Sequence, residues 1–167
     1  MKIYIAYDTN INGNGNEEYD IANDDYIELL QTCFKYCTSF SFRLRGEKAS
    51  KLAYQLPSEL EKYQIETTPH VLPAYSHYYR EFSPVVKNEI YCYKACLETY
   101  NLICSICNSV FTWISCNCCE KPEDLAFYRE DGSVFFNSTV HEGNCELHIQ
   151  SNENVDSIVK NPIWTIK

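Results

Sequence analysis

Apolar and aromatic side chains recur every third or fourth residue between positions 83 and 115: Val86, Ile90, Tyr93, Leu97, Tyr100, Cys104, Cys107, Phe111 and Ile114. Steps alternating between four and three trace one face of an amphipathic helix, here about eight turns long at roughly 3.6 residues per turn. Val85, Cys92, Cys96, Ile103, Ile106, Val110 and Trp113 widen the stripe. Lys87, Lys94, Glu98, Asn101, Ser105, Asn108 and Thr112 form an almost wholly polar row opposite. Ser83 suits an N-cap, and Pro84 the first helical position, where a missing N–H costs nothing. The pattern predicts one long helix with Leu97, Cys104 and Phe111 buried along it.

Shorter patterns flank this stretch. Residues 2–7 read as a first strand, followed by an Asn/Gly loop over 8–16 with strong turn chemistry. Asn23 or Asp24 caps a helix to about Cys37, with Tyr26, Leu29, Leu30, Cys33, Phe34 and Cys37 as its apolar stripe. Residues 40–45 alternate apolar and polar, as a half-buried strand does, and Gly46 ends the run. Residues 52–56 fit a short helix or strand, a helical turn follows Pro57, and 65–68 fit another strand. Residues 68–82 read as irregular. Beyond residue 121 the period becomes two, with strands at 125–128, 133–137 and 145–149 in a meander. Asp131-Gly132, between alternating runs, is the strongest short hairpin signal in the chain. A short helix at 155–159 and an edge strand at 163–166 complete it. The expected fold is α+β, a mostly antiparallel sheet packed on the long helix, in a single domain spanning 1–167.

The run Pro122-Glu-Asp-Leu-Ala-Phe-Tyr-Arg-Glu-Asp-Gly-Ser-Val-Phe-Phe-Asn-Ser-Thr-Val-His-Glu-Gly143, followed by Asp156-Ser-Ile-Val159 and Trp164, resembles a group of small uncharacterised bacterial proteins. Some of these carry sporulation-type labels. The resemblance covers mainly the last third, with a weaker echo in the first strand and first helix. It implies a bacterial, cytosolic, α+β protein, and it implies no activity.

Composition narrows the function classes. The chain has 167 residues, 45% of them hydrophobic, enough for a core without disulfide or metal staples. Its net charge of -9 and pI near 4.9 count against nucleic acid, whose binders present a basic face. They favour a basic protein as partner. Residues 1–7 lack the apolar core of a signal peptide, so a cytoplasmic location with reduced cysteines is expected. The uncharged run 99–119 reaches membrane-span length. It carries Asn101, Ser105, Asn108 and Thr112 on one face, as a buried amphipathic helix does, so no membrane contact is expected.

Candidate chemistry is sparse. Cys104, Cys107, Cys116, Cys118 and Cys119 offer a zinc-like count. Cys104 and Cys107 fall mid-stripe, however, and Cys33/Cys37 and Cys92/Cys96 fall on apolar helical faces, where cysteine acts as a small hydrophobe. Asp8-x-Asn10-x-Asn12-Gly13 matches half a calcium loop, but Tyr19 stands where the bidentate Glu belongs. No metal or cofactor is therefore expected. Glu17, Glu18, Asp20, Asp24, Asp25 and Glu28 cluster around the first helix start, more acids than the helix dipole requires. Tyr75, His77, Tyr78, Tyr79 and Arg80 combine residue types enriched at binding hot spots. His141-Glu142 falls on a turn and could serve a nucleophile, but no P-loop, G-x-S-x-G, H-E-x-x-H or G-x-G-x-x-G occurs. These patterns point to an intracellular macromolecule-binding protein, an inhibitor or immunity-type protein for a basic partner such as a toxin. Binding would use Glu17, Glu18, Asp20, Asp24 and Asp25 together with the Tyr75–Arg80 segment. A pocket protein that sequesters a small ligand such as a nucleotide, or a small hydrolase, are the alternatives.

Overall fold

The structure is a computed structural model and describes residues 1–8, 20–45, 55–68, 74, 88–113 and 122–167. In chain order they form β1 (Lys2–Tyr7), α1 (Asp24–Tyr36), β2 (Ser39–Arg45), α2 (Gln55–Leu60), a 3-10 turn (Glu61–Tyr63), β3 (Gln64–Thr68), β4 (Asn88–Lys94) and α3 (Leu97–Ile106). Then come β5 (Glu123–Tyr128), β6 (Val134–Thr139), a second 3-10 turn (Val140–Glu142), β7 (Asn144–Ile149), α4 (Asp156–Val159) and β8 (Thr165–Ile166). The eight strands make one sheet, ordered β3-β4-β2-β5-β6-β7-β1-β8. Every pairing in it is antiparallel. The α+β class, the first strand and helix, the β5–β6–β7 meander and the terminal edge strand agree with the sequence reading.

The long helix does not form. Over its described residues that stretch is a strand, β4, and a ten-residue helix, α3. Ile90, Cys92 and Tyr93 are buried and Tyr91 is half-buried, so β4 is covered on both faces. A strand covered on both faces is a continuous apolar run, and such a run also satisfies a helical template. The break comes at Ala95-Cys96. There Thr99 Oγ1 accepts the Cys96 amide at 3.0 Å and bonds the Lys94 and Cys96 carbonyls at 3.0 Å each. This cap starts a new helix two residues after the strand. The expected burial changes accordingly: Phe111 is buried, Cys104 half-buried, and Leu97 is 70% exposed. Leu97→Ala should therefore shift the unfolding free energy by less than about 0.5 kcal/mol, checked by urea denaturation.

The main core lies between one sheet face and the helices. Phe40, Phe42, Tyr93, Phe127 and Phe136 of the sheet meet Tyr26, Leu29, Leu30 and Cys33 of α1, with Ile103 of α3. A register shift between β5 and β6 lets the consecutive Phe135 and Phe136 both be buried in it. The start of α1 is pinned to the segment after α3. The Asn23 amide donates to the Asn108 carbonyl at 2.7 Å, Val110 to Ile21 at 3.0 Å, and the Trp113 indole to Tyr26 OH at 2.9 Å. Arg129 ties the meander together. It pairs with Glu153 at 2.6 Å, donates to the Val134 carbonyl at 2.6 Å and to the His148 carbonyl, and lies over the Phe135 ring.

Candidate functional site

On the other face of the sheet the strands carry polar groups. Along β2 the alternation Phe40-Ser41-Phe42-Arg43-Leu44 was expected to turn its polar members to water. All five are buried instead, because this face is covered too. Ser41 Oγ shares a hydrogen bond of 2.9 Å with Tyr128 OH, and burial pushes the Tyr128 phenol up, so it stays neutral. Ala74, Ile90, Ala126 and Tyr128 form a small apolar cluster beside them.

Next to that cluster Arg43, Glu123, Asp124 and His141 converge. Arg43 Nη2 lies 2.7 Å from Glu123 Oε2 and 2.7 Å from Asp124 Oδ2, with all three side chains within 1% of full burial. Glu123 and Asp124 are neighbours in sequence, and a regular strand would send their side chains to opposite faces. Two features reunite them. The register of β2 against β5 shifts between Ser41 and Arg43, so Ser41 faces Ala126 while Arg43 faces Glu123. The additional residue sits at Asp124, whose φ of 58° is left-handed. A bulge of this kind re-aims a side chain, and Asp tolerates the left-handed region better than most residues. Asp124 Oδ1 accepts the Val140 amide at 2.9 Å, which fixes the carboxylate against the turn that follows β6. The same turn brings His141 Nδ1 to 4.0 Å from Asp124 Oδ1, with the imidazole 21% exposed, and Glu142 Oε1 lies 3.8 Å from its Nε2.

No family model, no curated protein and no solved structure matches the chain. The chemistry of the cluster must therefore be read from its own groups. Two buried carboxylates, one guanidinium and one rim imidazole can hold a cation, or can fix the bulge and turn as an ion network.

The residues singled out in the sequence fare differently. Tyr75, His77, Tyr78, Tyr79, Arg80, Glu17 and Glu18 lie outside the described residues, as do the calcium-like loop beyond Asp8 and Cys116, Cys118 and Cys119. Asp20 is half-buried and accepts the Ser109 hydroxyl at 2.5 Å. Burial pushes its carboxyl above the usual value, against the lowering effect of that bond. Asp25 accepts Asn161 Nδ2 at 2.8 Å, so it joins α1 to the segment after α4. Asp24 is exposed and Glu28 half-exposed, with Lys160 Nζ 3.9 Å from Glu28. Cys92 and Cys96 are not a helical pair, since Cys92 is in β4 and Cys96 caps α3. Cys107 Sγ is 3.0 Å from the Ser109 carbonyl and 2.9 Å from Thr112 Oγ1. Burial pushes the Cys33 and Cys145 thiols well up, which makes them poor nucleophiles and ligands.

Sequence reasoning reached His141 but missed Arg43, Glu123 and Asp124. A signal was present: an arginine inside an aromatic strand and two consecutive acids opening another are buried charges in search of one another.

A second feature lies on the helix side. Asp24, Glu28, Gln31 and Lys35 are spaced four, three and four apart, so they form one row along α1. Beside its C-terminal half runs a shallow groove of about 310 Å³, lined by Gln31, Phe34, Lys35, Cys96, Leu97 and Tyr100. Among the described residues no helix is long and apolar enough to cross a membrane.

Proposed function

We propose that this chain is an intracellular macromolecule-binding protein that inhibits a basic protein partner, as an immunity-type protein does its toxin. The observation that carries the reading is the outer row of α1. Its N-terminal half presents Asp24 and Glu28, and its C-terminal half borders a groove with Leu97 70% exposed. Acids on a rigid helix in a chain of net charge -9 steer a cationic partner over roughly a Debye length, about 8 Å at physiological salt. An apolar groove next to them offers an anchor, so encounter and retention are served by adjacent surfaces. Asp20 and Asp25 are half-buried and each accepts one internal hydrogen bond, so Asp24 and Glu28 are the acids of this row best placed for a partner.

The test begins with affinity capture of the partner from the protein's native neighbours, followed by association and dissociation rates. The on-rate should fall steeply from low salt to about 0.15 M. The double variant Asp24→Lys with Glu28→Lys should lower it by about tenfold or more at low salt. Leu97→Ala should act on the off-rate. An on-rate indifferent to both salt and charge reversal, or a captured partner that is acidic, would sink the reading.

A further inference from the structure

We propose that Glu123, Asp124 and His141 form a binding site for a divalent metal ion of the manganese and zinc class. One ligand atom from each residue can be chosen so that all three lie within 4.8 Å of one another. That span lets three donors close on a single ion with small side-chain adjustments, since metal–oxygen and metal–nitrogen bonds to such ions are about 2.0–2.2 Å. Two carboxylates and an imidazole suit ions between the hard and borderline classes, while thiolates select softer ones.

The surroundings fit a ligating role. Arg43 reaches one oxygen of each carboxylate, Glu123 Oε2 and Asp124 Oδ2. It thus holds both carboxylates from one side, and the oxygen of Asp124 that lies toward His141 is Oδ1. The Val140 amide, donating to that same Oδ1, fixes its direction through a backbone bond. On the far side of the imidazole, Glu142 Oε1 stands 3.8 Å from Nε2 while Nδ1 points toward Asp124. At 3.8 Å, beyond a hydrogen bond, Glu142 supplies a negative charge near the outer nitrogen rather than a fixed orientation of the ring. Access is by way of His141, 21% exposed above carboxylates that are within 1% of full burial.

Mn²⁺ is the probe of choice, because thiols among the ten cysteines could compete for zinc and are poor ligands for manganese. The electron paramagnetic resonance signal of free Mn²⁺, titrated with the 167-residue chain at neutral pH, reads the bound fraction directly. One Mn²⁺ per chain is expected. Removing even an outer-shell partner of a metal ligand costs about 10–100-fold in affinity, so His141→Ala should weaken binding by at least about 100-fold. His141 is half-buried on a turn, and thermal unfolding confirms that the variant is folded; His141→Gln, closer in volume, serves the same comparison if it is not. Glu142→Gln, which removes only a nearby exposed charge, should weaken binding by less than about tenfold. Absence of Mn²⁺ binding, or equal affinity in the parent and the His141 variant, would overturn the site and leave the cluster a structural ion network.

Discussion

Arg43→Met is expected to lower the unfolding free energy by about 3–5 kcal/mol. The size follows from what the change leaves behind. Arg43 is 2.7 Å from an oxygen of Glu123 and 2.7 Å from an oxygen of Asp124, and none of the three side chains exceeds 1% exposure. Removing one partner of a buried pair leaves carboxylates out of water with part of their compensation gone, which costs more than the pair itself is worth. Against a domain stability of about 5–15 kcal/mol, that loss is a large fraction of the whole. Neutralising the carboxylates as well should recover most of it. The triple variant Arg43→Met, Glu123→Gln, Asp124→Asn should be closer to the parent than the single variant, since no buried carboxylate is then left without its cation. Urea unfolding of parent, single and triple variants measures both effects. A single variant within about 1 kcal/mol of the parent would show that the guanidinium is not the main compensation for these acids.

The site's legibility in the sequence divides along one physical line. What local chemistry determines could be read. Asp131-Gly132 turns the β5–β6 hairpin, with Ser133 donating to Asp131 Oδ1 at 2.9 Å and 2.6 Å from its amide and hydroxyl. The spacing of Tyr26, Leu29, Leu30 and Cys33 gave α1 its buried face. Period two gave the meander. What two-sided burial determines could not be read. In β4 the residues Ile90, Tyr91, Cys92 and Tyr93 face alternately into two covered regions, so the periodic contrast that separates strand from helix vanished. The same cover turned Arg43 from an apparent solvent-facing residue of β2 into a buried charge.

The charged cluster was harder still, because its geometry rests on a register shift. The residue types hint that Arg43 and the two acids seek one another, but nothing in Glu123-Asp124 announces that Asp124 will adopt a φ of 58°. Bulges depend on the fit of two strands far apart in sequence, here β2 and β5. His141 could be singled out by residue type alone, but its place beside Asp124 follows from the turn after β6. The acidic cluster shows the converse. Its charges were legible, while the Ser109 and Asn161 bonds that engage Asp20 and Asp25 are tertiary contacts.

Phe127→Ala should cost about 3–5 kcal/mol, the range for removing a buried aromatic side chain and leaving a cavity. Phe127 is fully buried in the main core. Its ring centroid is 5.2 Å from Phe34 of α1, 5.6 Å from Phe40 of β2 and 6.4 Å from Phe136 of β6. It therefore joins the first helix to the middle of the sheet, and such close-packed surroundings relax only partly around a void. Favourable edge contacts are lost as well, since the Phe34 pair is T-shaped at 68°. The comparison with Leu97→Ala makes the measurement decisive for the fold. One long helix packed on the sheet would make Leu97 a core residue and both changes costly. A sheet whose core is closed by α1, with α3 presenting Leu97 to water, makes only the Phe127 change costly. Urea denaturation of the two variants side by side separates these architectures: comparable losses would refute the packing described, and a difference of about 2.5 kcal/mol or more is the expected result.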